Sequence, residues 1–87
     1  MVLAPGAARV LEGLRGPSLM ALRGVILALA DDPRPPRSRK LTSQDLYRVR
    51  IRIDGVPWRI IYQVRENERI VLITRVARRD EGTYRRL

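Results

Sequence analysis

A chain of 87 residues is long enough for one compact domain with a modest core and too short for two. Cys and His are both absent, which excludes disulfides, thiol nucleophiles and the usual zinc ligands, and removes the commonest proton carrier near neutrality. The formal charge of +9 comes from 18 Lys+Arg against 9 Asp+Glu, with Lys40 the sole lysine, and such a surplus favours polyanionic partners.

The opening "MVLAPGAARVL" has no basic segment ahead of its apolar residues and does not read as a secretory leader. Val2-Leu3 could supply an edge strand. Ala8, Val10, Leu11 and Leu14 recur at helical spacing, so a first helix is predicted from about Gly6 to Arg15, closing on Gly16. A second helix follows from Pro17, with Leu19, Leu22, Ile26 and Leu29 along one stripe, and it should stop before Pro33. Its apolar run, Leu19 to Ala30, is broken by Arg23 and falls short of the roughly 20 residues that span a bilayer. No membrane helix is expected, and a cytoplasmic location is the default.

"DDPRPPRSRK" is a polar, Pro-rich connector, beyond which the hydrophobic period changes to two. Tyr47, Val49, Ile51 and Ile53 alternate with Arg48, Arg50 and Arg52, which predicts a strand with one buried face and one wet, cationic face. Asp54-Gly55 is a hairpin signal. Trp58 to Val64 forms a second, nearly continuous apolar strand, "RENER" a turn, and "IVLITRV" a third strand. The apolar second strand belongs at the centre of an antiparallel meander. The expected fold is α+β: one domain over residues 1–87, with two N-terminal helices packed on a small twisted antiparallel sheet of three to four strands.

Charge is divided unevenly along this order. Residues 1–36 carry a net +1 (four Arg, three acids), and residues 37–87 a net +8 (fourteen cations, six acids). Arg48, Arg50 and Arg52 can be read simply as the solvated face of an amphipathic strand. Arg59 is harder to explain as solubility, since it sits inside "WRIIY". Trp58, Tyr62 and Tyr47 read as core residues before they read as base-stacking platforms. Arg75, Arg78, Arg85 and Arg86 are either phosphate contacts or part of a frayed basic end.

Two stretches together, "KLTSQDLYRVRIRIDGVPWRIIYQV" and "IVLITRVARRDEGTY", with the connector "LADDPRPPRSRKL", resemble the RelE/ParE superfamily of toxins from bacterial toxin–antitoxin pairs. The resemblance runs over nearly the whole chain. It implies a RelE-like fold and, for RelE-type members, ribosome-dependent cleavage of messenger RNA with no metal or other cofactor. ParE-type members instead inhibit DNA gyrase. Carried over position by position, it implies phosphate binding at Arg48 and Arg50, and catalytic roles for Arg59, Arg79 and Tyr84. Arg52 and Arg78 join the candidate RNA contacts as neighbouring cations. Arg48 and Arg50 stand where some relatives have lysines, and the interval from Arg79 to Tyr84 is one residue shorter than in such relatives.

Cleavage of RNA by its own 2′-hydroxyl needs a partner for that proton, cations around the crowded phosphate, and a proton for the departing 5′-oxygen. Arginine supplies the second through two charge-assisted hydrogen bonds to phosphate oxygens, but it stays charged and is a poor acid or base. The base is then Tyr84, its pKa lowered by nearby arginines, or a carboxylate such as Asp80 or Glu81, or a ribosomal group. A cognate antitoxin and a ribosome carrying messenger RNA are the implied partners. A gyrase inhibitor and a non-catalytic nucleic-acid-binding or decayed toxin domain are the competing readings.

Overall fold

The computed structural model of the protein describes residues 2–41 and 45–78. The elements run β1 (Val2–Leu3), α1 (Pro5–Glu12), α2 (Gly16–Asp31), β2 (Arg39–Lys40), β3 (Leu46–Ile53), β4 (Val56–Arg65), a 3-10 turn (Glu66–Glu68) and β5 (Ile70–Arg78). The sheet has five strands in the order β1-β5-β4-β3-β2. β3, β4 and β5 form the antiparallel meander, with β4 in the centre as its apolar sequence predicts. The expected sheet of three to four antiparallel strands is nevertheless too small, and its antiparallel character is incomplete. Two-residue strands are added at both edges, and β1 runs parallel to β5. Two residues are too few to show a period, and α1 and α2 carry the chain from β1 at one edge of the sheet to β2 at the other, so that β1 meets β5 only after the meander has formed.

Pro5 occupies the first turn of α1, where its missing N–H is harmless. The helix ends earlier than its apolar spacing predicts. The N–H of Gly13 closes it on the carbonyls of Arg9 and Val10, both at 3.2 Å. Gly16, expected to end this helix, instead begins α2 with φ +62°, a left-handed conformation that turns the chain between the two helices. α2 stops at Asp31, before Pro33 as predicted.

The helices cover one face of the sheet, and the core lies between the two layers. Ala7, Leu22, Ile26 and Leu29 from the helices meet Tyr47, Val49, Trp58, Ile60, Tyr62, Val64, Val71, Ile73 and Val76 from the strands. Each fully buried Leu or Ile contributes about 1.5–3 kcal/mol from the loss of water contact alone. Tyr47 and Tyr62 face each other across β3 and β4 with stacked rings 5.7 Å apart. Their hydroxyls hold the Pro-rich connector: Tyr62 donates to the Pro33 carbonyl at 2.7 Å, and Tyr47 accepts from Arg34 Nε at 2.9 Å. Both tyrosines and Trp58 are therefore core residues.

Candidate functional site

The second face of the sheet is where the arginines gather, and a two-residue turn sets their register. Asp54 and Gly55 both have positive φ, 50° and 80°, the signature of a type I′ hairpin whose twist matches that of the flanking strands. With Ile53 paired to Val56, the ladder then sets Arg52 opposite Pro57, Arg50 opposite Arg59 and Arg48 opposite Ile61. Arg50 and Arg52 are exposed, whereas Arg48 and Arg59 are half-buried.

Two arginines directly across a strand pair repel one another, and such pairs are ordinarily selected against. This sheet has two such pairs on one face, since Arg39 of β2 stands opposite Arg48. No acidic residue occurs anywhere in β3, β4 or β5. Several acids lie at the far end of the hairpin and in its approach, where Arg34 meets Glu66, Lys40 meets Asp45 at 3.9 Å, and Arg65 meets Glu68 at 3.8 Å. These pairs are exposed and contribute little to stability.

β5 contributes through an irregularity that periodicity does not show. Opposite β4 the register runs Ile61 with Arg75 but Tyr62 with Ile73, which leaves Thr74 as the extra residue of a β-bulge. The Thr74 hydroxyl fills the gap by donating to the Ile61 carbonyl at 3.0 Å. Unbroken alternation from Val71 and Ile73 would drive Arg75 into the core. The bulge resets the phase, so that Val76 is buried and Arg75 is exposed beside Ile61.

The structure thus brings together Arg48, Arg50, Arg52 and Arg59 on one face, and adds Arg39 and Arg75. Sequence reasoning missed Arg39 as a site residue because it lies in a two-residue strand. Arg75 it left between two readings, because its face depends on the bulge. Arg78 is not part of this surface. It pairs with Trp58 and lines a hollow with Val10, Leu14, Ile53 and Val56 at the end of the helix-covered layer. Arg79, Asp80, Glu81 and Tyr84 lie outside the described residues.

This surface can bind anions and neutralise charge, and its arginines cannot exchange protons near neutrality. Tyr62 does not supply a base. Burial pushes its hydroxyl above the ordinary tyrosine value, and it sits on the other side of the sheet with Tyr47. An apolar groove of about 360 Å³, lined by Leu3, Leu11, Leu19, Ile26 and Leu27, also belongs to the helical layer and is separate from the arginines. No helix among the described residues is long and apolar enough to cross a membrane.

The sequence model of the family described as "ParE toxin of type II toxin-antitoxin system, parDE" matches residues 18–82. A chain of the intact E. coli RelBE toxin–antitoxin complex superposes with a TM-score of 0.74 at 18% identity, over 91% of this chain and 94% of that one. The isolated E. coli RelE toxin superposes with a TM-score of 0.76 at 17% identity, over 94% of this chain and 85% of that one. At such identities the likeness is one of fold. No curated protein sequence matches the chain.

Proposed function

Because the chain belongs to the RelE/ParE superfamily of toxins of type II toxin–antitoxin systems, we propose that it is a RelE-type toxin, a ribosome-dependent endonuclease of messenger RNA restrained by a cognate antitoxin. The observation that carries the reading is the gathering of arginines on one face of three strands that themselves contain no acidic residue, with Arg50 directly opposite Arg59 in the ladder. Like charges directly opposite in a strand pair disfavour one another, and a phosphate between two such guanidinium groups would bind both. A surface that only needed to be soluble would gain more from mixed charge.

In the reaction, the 2′-oxygen attacks the adjacent phosphorus in line and the bond to the 5′-oxygen breaks. The products are a 2′,3′-cyclic phosphate and a 5′-hydroxyl. Arg48, Arg50 and Arg59 would grip the non-bridging oxygens and stabilise the charge that builds on them, a contribution usually among the largest in such reactions. The proton leaving the 2′-hydroxyl and the one reaching the 5′-oxygen must travel through other groups. The chain has three tyrosines and no histidine. With Tyr47 and Tyr62 committed to the core, Tyr84 is the tyrosine left for the task, alongside Asp80, Glu81 or a ribosomal group. Arg79 would complete the phosphate clamp. The ribosome as target makes the cytoplasm the site of action.

A second reading follows from the matching family model, whose name is that of the gyrase-inhibiting branch. Inhibition by protein binding requires no phosphate clamp. One paired experiment separates the two: the 5′ ends of a translated message are mapped with and without the protein, while gyrase supercoiling is followed in parallel. New 5′ ends on translated message support the nuclease. Intact message with supercoiling stopped refutes it. Within the nuclease reading, Arg79→Ala should abolish cleavage with an unchanged circular dichroism spectrum, and cleavage at the parental rate would remove Arg79 from the site.

A further inference from the structure

The arginine face is wider than a site for one phosphate. Across the strands, perpendicular to their direction, the ladder aligns Arg39 of β2, Arg48 of β3, Ile61 of β4 and Arg75 of β5 in a single row. Three inter-strand steps of about 4.8 Å put the two outer members roughly 14 Å apart at their backbones. Both are exposed. The Arg50–Arg59 pair lies beside this row, two residues further along β3 and β4.

Two features argue that the row is built for a ligand. Arg39 does not merely place charge on a sheet edge, where a cation commonly discourages strand pairing, because its register sets it directly against Arg48. Arg75 reaches the face only because the Thr74 bulge shifts the phase of β5. The single uncharged member of the row, half-buried Ile61, gives an apolar surface between the two cationic flanks. A lone phosphate would be satisfied by one facing pair. A row with cations at both ends and an apolar centre fits a chain whose phosphates recur and whose sugars and bases can rest on the aliphatic side chain.

We infer that Arg39 and Arg75 are phosphate-binding residues on either flank of the site, so that single-stranded RNA lies across the sheet from β2 to β5 with the Arg50–Arg59 pair alongside. The inference rests on the reading of this face as an RNA site. It assigns the two outer arginines to sequence-independent grip on the neighbouring phosphates, away from the bond that is cut.

Binding of the full chain to a short labelled oligouridylate, measured over a salt series, tests this directly. Each phosphate contact on a single strand contributes about 0.7 to the slope of log affinity against log salt. Arg39→Gln and Arg75→Gln should each lower that slope by about 0.7 and weaken binding several-fold at low salt, with additive effects in the double variant. Arg39→Lys and Arg75→Lys should keep the slope, and Arg23→Gln, on the exposed side of α2, should leave both quantities unchanged. Slopes equal to the parent in both glutamine variants would overturn the inference. So would a variant that loses binding to a purified acidic antitoxin while keeping its RNA slope, since the row would then be a protein-docking surface. The readout is independent of catalysis: altered slopes with no cleavage of translated message would refute the nuclease and leave the track standing, whereas cleavage with unaltered slopes would do the reverse.

Discussion

Replacing Arg50 by glutamine should make the protein more stable and less active. Arg50 is exposed and faces Arg59 across the hairpin, with Arg48 and Arg52 two residues away on the same side of β3. Two unit charges about 7 Å apart in a medium near ε 80 repel by about 0.6 kcal/mol. Three such neighbours, partly splayed into solvent, give a relief on the order of 1 kcal/mol at low salt. For a domain of this size, that raises the melting temperature by about 4–8 °C. In 1 M salt the screening length is about 3 Å and most of the repulsion is gone, so the gain should shrink to about a tenth. Phosphate binding should suffer in the opposite sense, since a charge-assisted hydrogen bond is worth about 1.5–3 kcal/mol, or roughly ten- to a hundredfold in cleavage or RNA affinity. Thermal melts at low and high salt, beside a translated-message cleavage assay, measure both halves. Arg52→Gln, opposite uncharged Pro57, is the internal control and should gain less. A destabilised Arg50→Gln protein would show that Arg50 is held by packing, a gain that survives 1 M salt would show that the gain is not one of charge, and either result would refute the electrostatic argument.

Three further outcomes follow from the same geometry. Tyr62→Phe removes the hydroxyl that donates to Pro33 and should cost about 0.5–1.5 kcal/mol at neutral pH, read from urea unfolding. Burial raises the Tyr62 pKa, so the folded state favours the neutral phenol. Its contribution is intact below the ordinary tyrosine value of about 10 and is lost as pH rises through the folded value, because the unfolded chain ionises first. The alkaline fall in stability should therefore be smaller in Tyr62→Phe, and an unchanged alkaline limb would show that another group causes it. Gly55→Val places a β-branched side chain at φ +80° and should destabilise the hairpin by about 1–3 kcal/mol; an unchanged unfolding midpoint would mean the turn tolerates another conformation. Thr74→Val keeps the shape and removes the hydroxyl bonded to Ile61, with an expected loss of about 1 kcal/mol and a weaker RNA salt dependence if Arg75 loses its orientation. Parental stability together with parental salt dependence would show that the bulge does not depend on that hydroxyl.

Much of this molecule is determined by residue order alone. The helical spacing of Leu22, Ile26 and Leu29 marks the buried stripe of α2, because a period near 3.6 can bury only one side of a helix. Alternation in "YRVRIRI" places Arg48, Arg50 and Arg52 on one face, and Asp54-Gly55 closes the hairpin that carries Arg59 back to them. Those are local rules, each acting within a few residues. What tertiary structure decided is non-local. The two-residue strands at the sheet edges exist only because neighbouring strands offer them hydrogen bonds, so the parallel position of β1 and the meeting of Arg39 with Arg48 could not be read from any period. The bulge at Thr74 is likewise invisible in "IVLITRV", where every residue suits a strand. It is the mismatch between β4 and β5 that inserts one residue, keeps Val76 in the core and turns Arg75 outward. Sequence thus determined that the protein would have an arginine face, and pairing across the sheet decided its width and which arginines stand on it.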